Sequence, residues 1–181
     1  MKRAKGFTTI ELVVIIVIMG ILATIAIPGF SRWLPNYRLR AATRDLFSNF
    51  QLTKLTAIKR HRTCVISFDQ DIGRTTYDYV VYVDTGNNLK LDDPGDEVLT
   101  KVLFSDRYEG VVFDTSKGGG DGIDDTIIDN DDNNPTIGFL SNGFSIGNDG
   151  NPAAGSVYLT NANGREREVA VSAAGAISII E

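Results

Sequence analysis

Glu11 is the one charged side chain in residues 7–27 (FTTIELVVIIVIMGILATIAI), a run of twenty-one residues that follows the basic hexapeptide MKRAKG. A carboxylate in so apolar a segment is costly, which marks it as a functional position in want of a partner. A second chemistry lies in two acidic stretches, residues 84–97 (DTGNNLKLDDPGDE) and 114–134 (DTSKGGGDGIDDTIIDNDDNN). Both offer hard oxygen ligands at short spacing, the kind calcium prefers. The candidate ligands are Asp84, Asp92, Asp93, Asp96, Asp121 and Asp125. The EF-hand register is missing: no glycine holds the sixth place from Asp84, Asp121 or Asp129, and no glutamate the twelfth. A solvated surface loop is the plainer reading and weak calcium binding the alternative. Catalytic chemistry finds little. His61, the single histidine, has no nucleophile or carboxylate at a recognisable spacing. Residues 118–122 (GGGDG) lack the Lys-Ser/Thr of a phosphate loop. No enzyme and no obligatory cofactor are expected.

These residues need elements to position them. At about 1.5 Å per residue, a helix over residues 7–27 reaches about 31 Å, enough to cross the hydrocarbon core of a bilayer. The helix is expected to continue beyond the membrane, because residues 36–60 contain no Gly or Pro. At 100° per residue, Leu39, Ala42, Thr43, Leu46, Phe47, Phe50, Thr53, Ala57 and Ile58 gather on one stripe, with Arg44, Asp45, Ser48 and Lys59 opposite. Leu52 and Leu55 fall outside that stripe. Between the two halves lie Gly20, Pro28 and Pro35, which weaken the helix or remove hydrogen bonds, so bending or partial unwinding costs least there. After Arg62 the pattern turns to short β-rich runs at 63–68, 76–83, 98–104, 111–113, 136–140, 156–160, 167–172 and 176–180. Asn163-Gly164 and Ala174-Gly175 are tight-turn signals that join the last three runs into a meander. The fold class expected is α+β, a long N-terminal helix (transmembrane half plus amphipathic half) packed on antiparallel β-sheet.

Charge is divided sharply along the chain. Residues 7–62 carry eight Lys and Arg against Glu11 and Asp45, while residues 63–181 carry seven against twenty-one acids. So acidic a domain argues against a general phosphate-binding surface. Arg165 and Arg167 alternate with Glu166 and Glu168, which cancels much of their field, and no nucleic-acid partner is expected. Cys64 is the sole cysteine, so no intrachain disulfide forms; alternation along TCVISF places it with Ile66 and Phe68 as a small buried hydrophobe.

The motif GFTTIELVV resembles the processing site of type IV prepilins and type II secretion pseudopilins. A plain single-span anchor explains the length of the run without the motif, and a secretory signal leaves Glu11 and the preceding glycine unexplained. The resemblance implies cleavage between Gly6 and Phe7 by a prepilin peptidase and N-methylation of Phe7. It also implies assembly through Glu11, Gly20 and Pro28. Lys2, Arg3 and Lys5 are nearly balanced by four arginines after the run, so charge alone leaves orientation open; the resemblance places the leader in the cytoplasm. The expected organisation is a leader at 1–6, a hydrophobic transmembrane and assembly helix at 7–34, and a periplasmic globular domain at 35–181. Residues 37–60, 63–68 and 137–180 are further similar to the GspH/FimT group of minor subunits. The function implied is a structural subunit of a type IV pilus or a type II secretion pseudopilus, entering from the inner membrane. Other subunits and the inner-membrane assembly platform are its partners, with membrane lipid before assembly. A DNA-binding or adhesive pilus-tip subunit is the alternative.

Overall fold

The computed structural model describes residues 7–92, 94–124 and 126–180, with the side chains of 25–29, 31 and 32 outside that description. The chain divides into two units, Met1–Leu34 and Pro35–Glu181. One helix, α1 (Thr9–Arg60), contributes to both. It is assigned as helix through Gly20, Pro28 and Pro35, so the lost i−4 bonds do not end it. His61 ends it, with φ 50° and the Arg62 amide on the Ala57 carbonyl at 3.3 Å, a Schellman-type closure.

In the globular unit two antiparallel sheets share a core with the second half of α1. The strands are β1 (Thr63–Ile72), β2 (Thr75–Asp84), β3 (Glu97–Val102), β4 (Val111–Phe113), β5 (Thr136–Phe139), β6 (Ser145–Ile146), β7 (Gly155–Asn161), β8 (Glu166–Val171) and β9 (Ile177–Ile180). The first sheet runs β3-β2-β1-β5-β6 and the second β4-β7-β8-β9. The meander expected at the end of the chain is β7-β8-β9, with Gly164 and Gly175 at positive φ in its turns. The α+β class is therefore as expected, with two sheets under the helix and a two-residue strand, β6, that its sequence did not signal.

Leu39, Ala42, Thr43, Leu46, Phe50, Thr53 and Ala57 are buried along α1. They face Cys64, Ile66, Phe68, Tyr79, Val81 and Phe139 of the first sheet and Val157, Leu159, Val169 and Val171 of the second. Phe50 packs near Phe68 and Phe139, with ring centroids 6.2 and 6.5 Å away. Two expectations for the stripe fail. Ile58 is 37% exposed, beside the turn at Gly143. Asp45 is half-buried rather than fully turned to solvent: it accepts from the Tyr79 hydroxyl at 3.2 Å and lies 3.7 Å from Arg107. Asn49, outside the expected stripe, is buried and donates to the same hydroxyl at 2.9 Å. The run expected as strand to residue 104 stops at Val102, and Phe104–Arg107 forms a helical turn, α2, whose first amide donates to Asp78 at 2.6 Å.

Strand β1 is buried on both faces, since Val65 belongs to a second small cluster with Val80, Tyr82 and Leu89. That cluster exists because the loop after β2 folds back over the outer face of the first sheet.

Candidate functional site

In the N-terminal unit, every described side chain from Phe7 to Thr24 is exposed. Phe7 is 80% exposed, and Glu11 borders a shallow concavity of about 380 Å³ with Phe7, Ile10, Val14 and Ile15. Glu11 has a partner within its own chain. Its carboxylate accepts the Thr8 amide at 2.8 Å and the Thr8 hydroxyl at 2.9 Å, while its own amide donates to the Thr8 Oγ1 at 3.3 Å. This is a capping box, which satisfies orphan donors at the start of α1. The signal was present as Thr-x-x-Glu ahead of an apolar run and went unread. A Cβ on Gly20 would meet no atom within 4 Å, so packing within the single chain does not require glycine there. Gly6 and the rest of the leader lie outside the described residues, as does the Pro28 side chain. Among the described residues no helix is long and apolar enough to cross a membrane.

The acidic stretches are ordered by their own carboxylates. Asp84 is buried; its Oδ1 accepts from the Asn87 amide at 2.7 Å and its Oδ2 from the Leu89 amide at 2.9 Å. Burial raises its pKa above the ordinary carboxylate value, against the backbone bonds that lower it, with nearby Asp96 adding to the rise. Asp96 accepts from the amide and hydroxyl of Thr85 at 2.9 and 2.8 Å, Asp92 from Asn88 at 3.0 Å, and Asp121 from the Ile123 amide at 2.8 Å. Asp93 and Asp125 lie outside the described residues. The two stretches, separate in sequence, are tied together. The Leu89 carbonyl accepts from Tyr82 at 2.8 Å and Asn130 at 3.1 Å, and Lys90 pairs with Asp132 at 3.1 Å. Among the described residues no three His, Cys, Asp or Glu side chains form a group that could hold a metal ion.

A polar cleft of about 510 Å³ lies where α1 meets β1, lined by residues that include His61, Arg62, Thr63, Asn87 and Ser141. Arg60 at its rim is engaged by Glu97. His61 serves as the left-handed residue closing α1. Cys64 is fully buried, and burial pushes its thiol up to about 11, which keeps it protonated at neutral pH.

A smaller cleft, about 240 Å³, brings together Asn36, Leu39 and Arg40 of α1 with Arg165, Glu166 and Arg167 at the β7–β8 turn. Glu166 thus stays beside Arg165 and Arg167, as their alternation in sequence implies, although both acids have other partners. Glu166 bonds Lys117, and Glu168 accepts from Ser156 at 2.5 Å. Sequence could not reveal this grouping, since Arg40 and Arg165 stand more than a hundred residues apart.

Residues 42–175, which take in the last part of α1 and every strand except β9, match the family model for Type II transport protein GspH. The chain belongs to the GspH family. No curated protein matches it. Among solved structures, it is similar to the crystal structure of the type IV minor pilin FimU of Pseudomonas aeruginosa (strain PAO1). The identity is 15% and the TM-score 0.49, over 82% of this chain and 92% of that one. As a GspH-family member the protein is a pilin- or pseudopilin-type subunit, a structural component that assembles with other such subunits. The family match begins inside α1, so the segment containing Phe7, Glu11 and Gly20 lies ahead of it.

Proposed function

We propose that this GspH-family chain is a minor subunit of a type II secretion pseudopilus or type IV pilus, inserted in the inner membrane through residues 7–27 until it is extracted into a filament. In this reading the leader is cut between Gly6 and Phe7, and the new Phe7 amine is methylated and stays cationic. The Glu11 of a docking subunit then exchanges its bonds to Thr8 for that amine on a neighbour. Gly20 and Pro28 supply the weak points at which the helix loosens during the exchange. The peptidase and an inner-membrane platform act on the chain, and its globular unit faces the periplasm. The observation that carries the reading is an exposed apolar surface from Phe7 to Thr24 with Glu11 as its single charge, in a chain of the GspH family.

The test uses the full chain in a host carrying the matching assembly machinery. Gly6→Val is expected to block cleavage, read as six retained residues by mass spectrometry. Glu11→Gln keeps an acceptor for Thr8 and removes the charge, so it is expected to be cleaved normally and to be depleted from sheared filaments. Normal incorporation of that variant would sink the pairing step, and normal cleavage of the Gly6 variant would sink the processing step.

A further inference from the structure

We infer that the solvent-facing stripe of α1 from Arg44 to Lys59 docks the acidic turn at residues 128–132 of a second copy of this chain. The inference rests on the subunit reading above and adds the contacting surfaces to it. At 100° per residue, Arg44, Ser48, Leu52, Leu55 and Lys59 fall on one line opposite the buried side, and all five are exposed. Leu52 and Leu55, 41% and 50% exposed, occupy the middle of a line about 22 Å long with a cation at each end. That is the layout of a small interface, apolar at its centre and charged at its rim. Among the described residues Arg44 and Lys59 make no ion pair. The acids that approach this half of the helix are held by other cations: Asp45 by Arg107, Glu97 by Arg60, Glu109 by Arg38 and Glu166 by Lys117.

The same chain carries the complementary surface. Residues 128–136 fold back as a tight turn, in which Asp129 bridges Pro135 and the Asn130 amide donates to the Asn134 carbonyl at 2.9 Å. Ile128 is 38% exposed, and Asp129, Asp131 and Asp132 are exposed near it. Ile128 lies next to Gly147 and Asp131 accepts from Asn148 at 3.2 Å, so the two sit side by side along residues 147–148. Lys90 pairs with Asp132; among the described residues Asp129 and Asp131 make no ion pair. When the turn of one copy lies on the stripe of another, apolar side chains meet at the centre and carboxylates meet cations at the rim. Every copy holds both halves of this charge complementarity, which is the argument for a second copy as the occupant. The two patches differ, so the contact is heterologous: each copy offers its stripe to one neighbour and its turn to the next. The large acidic excess of residues 63–181 disfavours a polyanion on the same face.

The experiment is disulfide crosslinking, under a mild oxidant, between two purified preparations of the full chain, one carrying Leu55→Cys and the other Ile128→Cys. Cys64 is fully buried, and the unsubstituted chain gives the background. A mixed product is expected, formed faster than either preparation crosslinks with itself and slowed by salt. Arg44→Glu with Lys59→Glu in the Leu55→Cys chain is expected to slow it about tenfold, because exposed ion pairs are lost and like charges oppose. Adding Asp129→Lys with Asp131→Lys to the Ile128→Cys chain is expected to restore the rate, which a general loss of folding could not do. No mixed product, or no rescue by the reversed pair in chains with native near-ultraviolet circular dichroism, overturns the inference. So does faster crosslinking of Leu55→Cys with itself, which would mean a helix-to-helix contact. Capture of a different subunit alone by a photocrosslinker at Leu55 in cells overturns the second copy as occupant. Cleavage between Gly6 and Phe7 of the same chains in the host is read separately. A cleaved chain that gives no mixed product removes this inference alone, whereas an uncleaved chain removes the processing step of the subunit reading.

Discussion

Replacing Tyr79 by Phe tests how α1 is held to the first sheet. The Tyr79 hydroxyl is fully buried, accepts from Asn49 Nδ2 at 2.9 Å and donates to Asp45 Oδ2 at 3.2 Å. Hydrogen bonds to a charged group contribute about 1.5–3 kcal/mol, and neutral ones about 1. Asn49 Nδ2 keeps a second acceptor, the Asp45 carbonyl at 3.0 Å, so the substitution orphans no buried donor. The expected loss at pH 7 is therefore at the low end, about 2 kcal/mol, seen as a lower denaturation midpoint of the Pro35–Glu181 fragment with an unchanged slope. Burial first, and Asp45 second, push the Tyr79 pKa well above its ordinary value. The folded state thus holds its phenolic proton where the unfolded chain has released it. The sign follows: stability from this group is complete below about pH 10 and falls as pH rises, by about 1.4 kcal/mol per unit. Tyr82 behaves likewise, with burial as the main cause. Tyr79→Phe should accordingly flatten the loss measured between pH 10 and 11.5 and leave the Tyr82 share in place. Equilibrium unfolding in guanidinium at those pH values is the assay. A wild-type midpoint at pH 7, or an alkaline slope unchanged in the variant, would refute the reasoning.

Phe50→Ala empties a fully buried site among aromatic rings and is expected to cost about 3–5 kcal/mol, which urea unfolding of the same fragment measures. Asp84→Ala leaves the Asn87 and Leu89 amides without their acceptor; a loss of about 2 kcal/mol is expected, with faster amide exchange confined to residues 85–92. Because burial raises the folded pKa of Asp84, its contribution is fully present below the ordinary value near 4 and is lost as pH rises through the folded pKa, a slope that this variant should remove from a pH series of midpoints. Gly175→Ala forces a side chain into left-handed backbone at φ +72° and against the Gly143 carbonyl, so more than about 1–2 kcal/mol should be lost in thermal unfolding. For the acidic stretches, calcium and magnesium at millimolar concentration are expected to raise the melting temperature by equal small amounts, as screening does; a rise of several degrees with calcium alone would establish a specific site.

What the sequence determined by itself rests on local rules. The apolar run with Glu11, the absence of Gly and Pro from residues 36–60 and the turn pairs Asn163-Gly164 and Ala174-Gly175 are short-range signals. They sufficed for the long helix, the α+β class and the closing meander, and the motifs at both ends of the chain pointed to the family that residues 42–175 match. The Thr8–Glu11 capping box was equally local and was legible in principle. Other features were settled by tertiary contact. Ile58 satisfies helical periodicity yet stays 37% exposed, and Asn49 violates the stripe yet finds the Tyr79 hydroxyl. The acidic stretches read as solvated tracts because nothing local says that Leu89 will bury itself on Val65 and Tyr82, turning Asp84 into a loop acceptor. Arg40 and Arg165 line one cleft because the β7–β8 turn is held to Asn36 of α1. Periodicity specifies which face of an element is apolar, but the covering of that face depends on chain segments far away in sequence, and those pairings exist only once the sheets have closed against the helix.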